Sequence, residues 1–369
     1  MFNPDKIIRP HIRSMATYTP ILPFEVLSEQ LGLPAESITK LDANENTYGP
    51  LPQVHAALSD LPYAHIYPDP QSRHLRAALS KHHNVPSKNI LASAGADELI
   101  DLIMRLILDP GDFIINCPPT FGMYSFDAGI NDAEVISVPR TEKFELDLER
   151  IAAVVAESQP KAIFLSNPNN PDGSLIPPET IDRLLSLPLL VILDEAYMHF
   201  ARPGSSRICP SPSGRGVRGE ENLIVLRTFS KWAGLAGLRL GYGLFPDWIM
   251  PHLWKIKQPY NVSVAASRAG IVSLENADQL TARAKKIISE RERLSAALKE
   301  IPWLRPYPSQ ANFILCQVIG RDAAQLKADL AQRGILIRYF NKPGLDDHIR
   351  ISVGKPAQTD ALLEELGTI

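Results

Sequence analysis

The chain has 369 residues, 45% of them hydrophobic, and carries 38 Lys and Arg against 41 Asp and Glu, a formal net charge of −3. That length buries a substantial core and favours one large domain with a smaller companion, and the near-neutral balance without a long basic block argues against a nucleic-acid partner. Three scattered cysteines (Cys117, Cys209, Cys316) argue against a disulfide framework or a thiolate metal centre, and no secretory signal or bilayer-spanning stretch is visible, so a cytoplasmic protein without a metal is expected.

Residues 1–40 are proline-rich and irregular apart from a helical stretch over Glu25–Leu31. Apolar spacing predicts short amphipathic helices over Val54–Ser59 and Ser72–His82, the second with Leu75, Ala78 and Leu79 on one side. A strand over Ile90–Ser93 precedes a helix over Asp97–Leu108, which Pro110-Gly111 ends. Strands then alternate with helices: Phe113–Asn116 and Ala133–Val138 as strands, Leu148–Ala156 as helix, Ala162–Ser166 as strand. Helix Pro178–Leu187 follows, then strands Leu189–Leu193 and Leu223–Arg227. Short apolar strands alternating with helices predict an α/β fold with a mostly parallel sheet covered on both faces. Ala201–Gly219, rich in Pro, Gly, Ser and Arg, reads as an exposed loop. After Asn261 a long helical region reaches about Lys299 with a pause near Glu275–Asp278. Ala311–Gln317, a helix near Ala323–Gln332, Ile335–Tyr339 and His348–Ser352 then form a second, α+β unit.

Polar residues follow directly on the apolar strands, where open α/β sheets bind their ligands. Gly95-Ala96-Asp97 opens the helix after Ile90–Ser93 and offers free N–H groups to a phosphate. Asn170 follows Ala162–Ser166, Asp194 ends Leu189–Leu193, and Ser230-Lys231 follow Leu223–Arg227. These residue types suit one chemistry. An unprotonated lysine amine forms a Schiff base with a carbonyl, and a carboxylate keeps a pyridine nitrogen protonated. A hydroxyl, an arginine and helix N–H groups hold a phosphate, roles open to Ser230, Arg239 and Ala96. Taken singly, each has a plainer reading as a surface lysine, a helix cap, a turn asparagine or a salt-bridge partner.

Thr228-Phe229-Ser230-Lys231, followed by Gly234-Leu235-Ala236-Gly237-Leu238-Arg239, resembles the lysine segment of fold-type I aminotransferases. Its Gly-Leu-Ala-Gly-Leu-Arg form is most similar to the histidinol-phosphate aminotransferases. Agreement extends to Leu41-Asp42-Ala43-Asn44-Glu45-Asn46, Gly95-Ala96-Asp97-Glu98 and Pro118-Pro119-Thr120-Phe121-Gly122-Met123-Tyr124. It continues through Asn167-Pro168-Asn169-Asn170-Pro171, Asp194-Glu195-Ala196-Tyr197 and Arg350-Ile351-Ser352-Val353-Gly354, nearly the whole chain. The chain departs from the usual pattern at Thr17-Tyr18-Thr19-Pro20-Ile21, at Asp172 in Asn170-Pro171-Asp172-Gly173, and at Thr47 in Asn46-Thr47-Tyr48-Gly49.

The resemblance implies pyridoxal 5′-phosphate on Lys231, with Asp194 at the pyridine nitrogen, Tyr197 and Asn170 at the ring oxygen and Phe121 stacked on the ring. It places Gly95, Ala96, Asp97, Ser230 and Arg239 around the cofactor phosphate, with Tyr67 reaching the phosphate of the other subunit. Tyr18, Asn46, Arg338 and Arg350 would meet the substrate, the two arginines at its anionic end. It further implies a homodimer with active sites at the interface, a large domain over residues 41–269 and a small domain from 1–40 and 270–369. The implied reaction exchanges an amino group between L-histidinol phosphate and 2-oxoglutarate. An aromatic aminotransferase, a phosphothreonine decarboxylase and a cofactor-bearing regulatory module are the alternatives.

Overall fold

The computed structural model describes residues 2–3, 6–18, 20–207 and 221–369. The described strands form two sheets. The larger has seven: β2 (Ile90–Ser93), β3 (Phe113–Asn116), β4 (Glu134–Ser137), β5 (Ala162–Ser166), β6 (Leu190–Asp194), β7 (Leu223–Thr228) and β8 (Gly241–Leu244). The smaller has five: β1 (Thr39–Leu41), β9 (Leu304–Pro306), β10 (Phe313–Val318), β11 (Ile335–Tyr339) and β12 (His348–Ser352).

The seven-stranded sheet runs in the order β2-β8-β7-β6-β5-β3-β4. Its pairs from β7 to β4 are parallel, and β8 lies antiparallel between β2 and β7. Its central strands are buried on both faces, which is why they read as unbroken apolar runs. Side chains alternate across the sheet: Ile163, Leu165, Val191 and Leu193 enter one core, while Phe164, Leu190 and Ile192 enter the other. Helix Ala96–Ile107 supplies Leu99, Ile100, Leu102 and Ile103 to the second core. Helices Arg73–His83, Leu148–Ser158 and Pro178–Leu185 cover the opposite face through Leu75, Ile151 and Ile181.

The antiparallel β8 is absent from the sequence reading, because Gly241-Tyr242-Gly243-Leu244 is short and half glycine. Its first glycine is required by packing. A Cβ on Gly241 would lie 2.5 Å from the backbone nitrogen of Ala96 and 2.5 Å from the carbonyl carbon of Gly95. The sheet therefore closes directly onto the turn that opens helix Ala96–Ile107.

The five-stranded sheet has the order β1-β11-β12-β10-β9, with β1 parallel to β11 and the remaining pairs antiparallel. Its core joins Ile314, Cys316, Ile337, Ile349 and Ile351 to residues of helices Ala277–Lys299, Ala323–Gln332 and Pro356–Thr368. The pause near Glu275–Asp278 is a break at Asn276, which separates helix Val264–Glu275 from Ala277–Lys299.

Of the loop expected over Ala201–Gly219, residues 208–219 lie outside the described residues. Residues 201–207 lack regular structure but are not wholly exposed: Arg207 is buried, donates from its backbone to Glu195 Oε1 at 2.8 Å and forms an ion pair with Asp182. Among the described residues no helix is long and apolar enough to cross a membrane.

Candidate active site

Asp194 ends β6 inside the protein, 5% exposed. Its carboxylate accepts from the Tyr124 hydroxyl at 3.1 Å and from the Ala196 backbone N–H at 3.0 Å. No cationic side chain pairs with it among the described residues, and burial pushes its pKa up to about 6. The next residue has the opposite circumstances. Glu195 is fully buried but receives Arg227 from β7 at 2.7 Å, together with the Ser206 hydroxyl.

Lys231 follows β7 by three residues and extends towards the same region. Its Nζ donates to the Ala43 carbonyl at 3.2 Å and lies 5.9 Å from the centre of the Tyr197 ring. Burial, reinforced by the positive charge of Arg350, lowers its pKa to about 8, so roughly a tenth of the amine is unprotonated at pH 7, far more than for an ordinary lysine. Tyr197 is buried, its ring edge-on to Phe313, and its hydroxyl accepts from Asn44 Nδ2 at 3.1 Å. Asn44 adopts φ +53°, a left-handed conformation that asparagine tolerates better than most residues. Ser352 and Asn312 from the five-stranded side fix its backbone. The strand-end tyrosine and lysine are thus held by a segment anchored to the other sheet.

A second group lies at the opening of helix Ala96–Ile107. Arg239, also left-handed at φ +49°, directs its guanidinium to Asp97 at 2.9 Å and to Ser230 Oγ at 3.4 Å. Ser230 is buried and also bonded to Thr228. Gly95, at φ +85°, caps the helix, and a Cβ there would meet Arg239 Nη2 at 2.5 Å. Backbone N–H groups, a hydroxyl and a guanidinium therefore converge as donors, a set suited to an anion.

The third group belongs to the five-stranded sheet. Arg338 on β11 and Arg350 on β12 are directly opposed in register. Like charges so placed repel, yet neither has a carboxylate partner among the described residues. Arg350 is buried between Phe313 and Phe340, at 5.2 and 5.6 Å from their rings. It donates to Asn170 Oδ1 at 2.6 Å and to the Asp42 carbonyl at 2.8 Å, and its Nε has no partner. Burial lowers its pKa to about 10. Lys231, Tyr197, Asn170, Phe121, Tyr18, Arg338 and Arg350 all line one cleft of about 1180 Å³.

Asp194 and the group of Gly95, Ala96, Asp97, Ser230 and Arg239 do not line this cleft, and Asn46 and Tyr67 stand apart from all three groups. The amide of Asn46 is committed to the loop around it, donating to the Trp232 carbonyl at 3.0 Å and accepting from Tyr48 N–H at 3.1 Å. Tyr67 is 79% exposed and stacks on Tyr260 at 4.6 Å, outside the cleft. Three residues with evident parts in the site carried no assignment from the sequence: Tyr124 on Asp194, Asn44 on Tyr197 and Phe340 beneath the arginines. The first two stand inside the quoted motifs and were legible there.

Fold and cleft together describe an α/β enzyme with a half-buried amine of lowered pKa, a buried acid without a cation and arginines without an acid among the described residues. The chain belongs to the aminotransferase class I and II family, whose model matches residues 36–366. It is 56% identical to the chloroplastic histidinol-phosphate aminotransferase of Nicotiana tabacum, over 98% of this chain and 86% of the relative. It is 53% identical to the histidinol-phosphate aminotransferase of Roseiflexus castenholzii, over 98% and 97%. The crystal structure of histidinol-phosphate aminotransferase from Sinorhizobium meliloti in complex with pyridoxal-5′-phosphate superposes with a TM-score of 0.87. That match is at 29% identity and covers 98% of this chain and 96% of the other.

Proposed function

We propose that the chain is a pyridoxal-phosphate-dependent histidinol-phosphate aminotransferase. It converts L-histidinol phosphate and 2-oxoglutarate reversibly into 3-(imidazol-4-yl)-2-oxopropyl phosphate and L-glutamate. The observation that carries this reading is the opposed pair Arg338 and Arg350, without an acid, in the same cleft as Lys231. Planar guanidinium groups accept both a phosphate ester and a carboxylate, as a site serving both substrates in turn must.

The residues present fit the cofactor. Asp194 is a buried carboxylate lacking a cation, which a protonated pyridine nitrogen supplies. Ser230, Arg239 and the N–H groups at Gly95-Ala96 would hold the phosphate, with Asp97 bracing the arginine, and Phe121 would cover the ring. When bound, the cofactor supplies an electrophilic carbonyl carbon and an electron-accepting ring. Asp194 would hold a proton on the ring nitrogen, and Tyr197 with Asn170 would bind the ring oxygen. Lys231 Nζ, as a free amine, would take the proton from the substrate's amine-bearing carbon and return it on the other side of the exchange. Its depressed pKa suits both directions. Asn170 accepts from Arg350 until the substrate anion takes that guanidinium over.

The same reading divides the chain into a large domain, residues 41–269, and a small domain, residues 1–40 with 270–369. The five-stranded sheet's own apolar core supports it, while the core of the larger sheet also takes in Leu280, Ala284, Ile287, Phe313 and Val353 from the second unit. It makes the enzyme a homodimer with shared active sites. The exposed Tyr67–Tyr260 stack, flanked by exposed Tyr63 and Ile66, is the surface a second subunit would cover. It places the enzyme in the cytoplasm, consistent with two buried, unpaired cysteines, Cys117 and Cys316.

The test is a panel of half-reactions followed through the cofactor spectrum with histidinol phosphate, glutamate, phenylalanine and phosphothreonine. Histidinol phosphate should lead by kcat/KM. Faster reaction with phenylalanine would make this an aromatic aminotransferase, and carbon dioxide release from phosphothreonine a decarboxylase. Mixing Lys231→Ala with Tyr67→Phe subunits tests the shared site: activity strictly proportional to each component, with subunit exchange proven, would exclude it.

A further inference from the structure

The cleft is wider than the groups described so far, and its composition is one-sided. Among the described residues seven lysines and arginines line it against a single carboxylate, Glu142, in a chain whose acids outnumber its bases 41 to 38. Beyond Lys231, Arg338 and Arg350 the cations are Arg140, Lys143, Arg305 and Lys342. Arg140 is buried and structural: its guanidinium donates to the Cys117 and Phe144 carbonyls and braces the turn that carries Lys143. The other three are exposed. None makes a side-chain hydrogen bond or ion pair among the described residues.

We infer that Lys143, Arg305 and Lys342 form an electrostatic approach path that draws anionic substrates into the cleft. The inference rests on the proposed reaction, whose keto acid is a dianion and whose phosphate esters carry a doubly ionised phosphate group. The three residues come from unrelated segments: the turn after β4, strand β9 and the connection from β11 to β12. Their convergence on one concavity is therefore a property of the fold and not of a local basic run. Lys342 crosses the cleft, its Nζ lying 3.7 Å from where a Cβ would stand on Gly122, beside Phe121. Arg305 lies close enough to Tyr307 to favour its ionised form, although burial dominates and raises that pKa.

Cations left unpaired in a concave, low-dielectric setting focus the potential and raise the local concentration of anions. A molecule of net charge −3 would otherwise repel a dianion weakly at long range. Screening limits such a field to roughly 8 Å at physiological ionic strength, so it acts at the mouth and inside the cleft and not across the whole surface. Arg338 and Arg350 grip the anion at its destination; the outer three act on its arrival. They therefore belong to kcat/KM and not to kcat.

The experiment uses holoenzyme, wild type and the triple variant Lys143→Gln/Arg305→Gln/Lys342→Gln. Half-reactions are measured with histidinol phosphate and separately, from the amino form, with 2-oxoglutarate, between about 20 and 500 mM ionic strength. At low salt the variant should lose about five- to tenfold in kcat/KM for both substrates, with kcat unchanged. Its salt dependence should be shallower, and the two curves should meet at high salt. Lys143→Glu alone should lose more at low salt than Lys143→Gln. Parallel curves, a loss confined to kcat, or equal effects of Glu and Gln would overturn the inference. If histidinol phosphate fails to react while 2-oxoglutarate gives converging curves, the substrate assignment falls and the approach path stands. If both react and the curves stay parallel, the path alone falls.

Discussion

The two sheets form two walls of the site and bring to it unpaired charge of opposite sign, Asp194 from outside the lining of the cleft itself. On the seven-stranded side Asp194 is buried with two neutral donors and no cation. On the five-stranded side Arg350 is buried opposite Arg338 with no acid. One residue beyond Asp194, Glu195 is at least as buried and is matched by Arg227 at 2.7 Å. The chain can therefore neutralise a buried acid at this depth, and at Asp194 it does not. Isolated buried charge costs several kcal/mol, and an internal partner is the ordinary remedy. Unpaired charge on both walls, opposite in sign, describes the ligands instead: a ring that is cationic at one edge and a substrate that is anionic at one end.

The largest effect should come from the amine between the walls. Lys231→Ala removes the amine proposed as nucleophile and proton carrier, and turnover should fall on the order of 10⁴-fold. Borohydride treatment of wild-type holoenzyme should fix the cofactor to Lys231 alone; a label on another lysine would remove the central assignment. Next comes the contrast of the two acids. Asp194→Asn should keep the cofactor and lose on the order of 10²-fold or more in rate, the scale of a lost electrostatic contribution. Glu195→Gln should instead lower stability by about 3–5 kcal/mol, because it leaves Arg227 buried without its partner. If Asp194→Asn turns over within about twofold of wild type, the acids do not differ in the way their surroundings indicate.

How much of this was legible in the sequence follows from what each part depends on. The parallel strands and their end residues were readable, because doubly buried strands are continuous apolar runs that stop at Asn116, Ser166 and Asp194. Strand β8 was not. Its glycines mark a close approach to Gly95-Ala96 that exists only once the sheet is assembled. The order of strands, which sets β7 before Lys231 next to β6 with its terminal Asp194, is likewise tertiary. The motifs held Asn44 and Tyr124 in view, but their partners Tyr197 and Asp194 are 153 and 70 residues away. The cations of the outer cleft had no local signal, being single residues in separate segments.

The arginine wall should yield a smaller effect than the acid wall. Arg350→Ala should weaken both half-reactions by about 2–3 kcal/mol, since phosphate and carboxylate use the same charge-assisted bonds. Arg338→Ala should cost less, because that side chain is only half-buried and solvent already screens it. Equal losses would mean that the two arginines act as a unit. A loss of stability with kcat/KM unchanged would mean that they only brace the small sheet.

The smallest effect concerns the acid wall without its ligand. Burial raises the pKa of Asp194 from an ordinary 3.8 to about 6. Between those values the folded protein binds more protons than the unfolded chain, so stability falls as pH rises. The contribution is fully present below about pH 4 and is lost by the time pH passes 6. Lys231 acts higher, since burial lowers its pKa from 10.5 to about 8. There the unfolded chain binds more protons, and stability rises between pH 8 and 10.5. Thermal melts of cofactor-free wild type and Asp194→Asn, taken from pH 4 to 7, isolate the first effect because every other group titrates in both proteins. Wild type should lose a few degrees relative to the variant across that window. Pyridoxal phosphate should reverse the trend, because a protonated ring nitrogen favours the carboxylate and moves its pKa back down. A gap that stays constant with pH would mean that Asp194 is ionised at no cost in the empty cleft, and the contrast with Glu195 would then have no energetic basis.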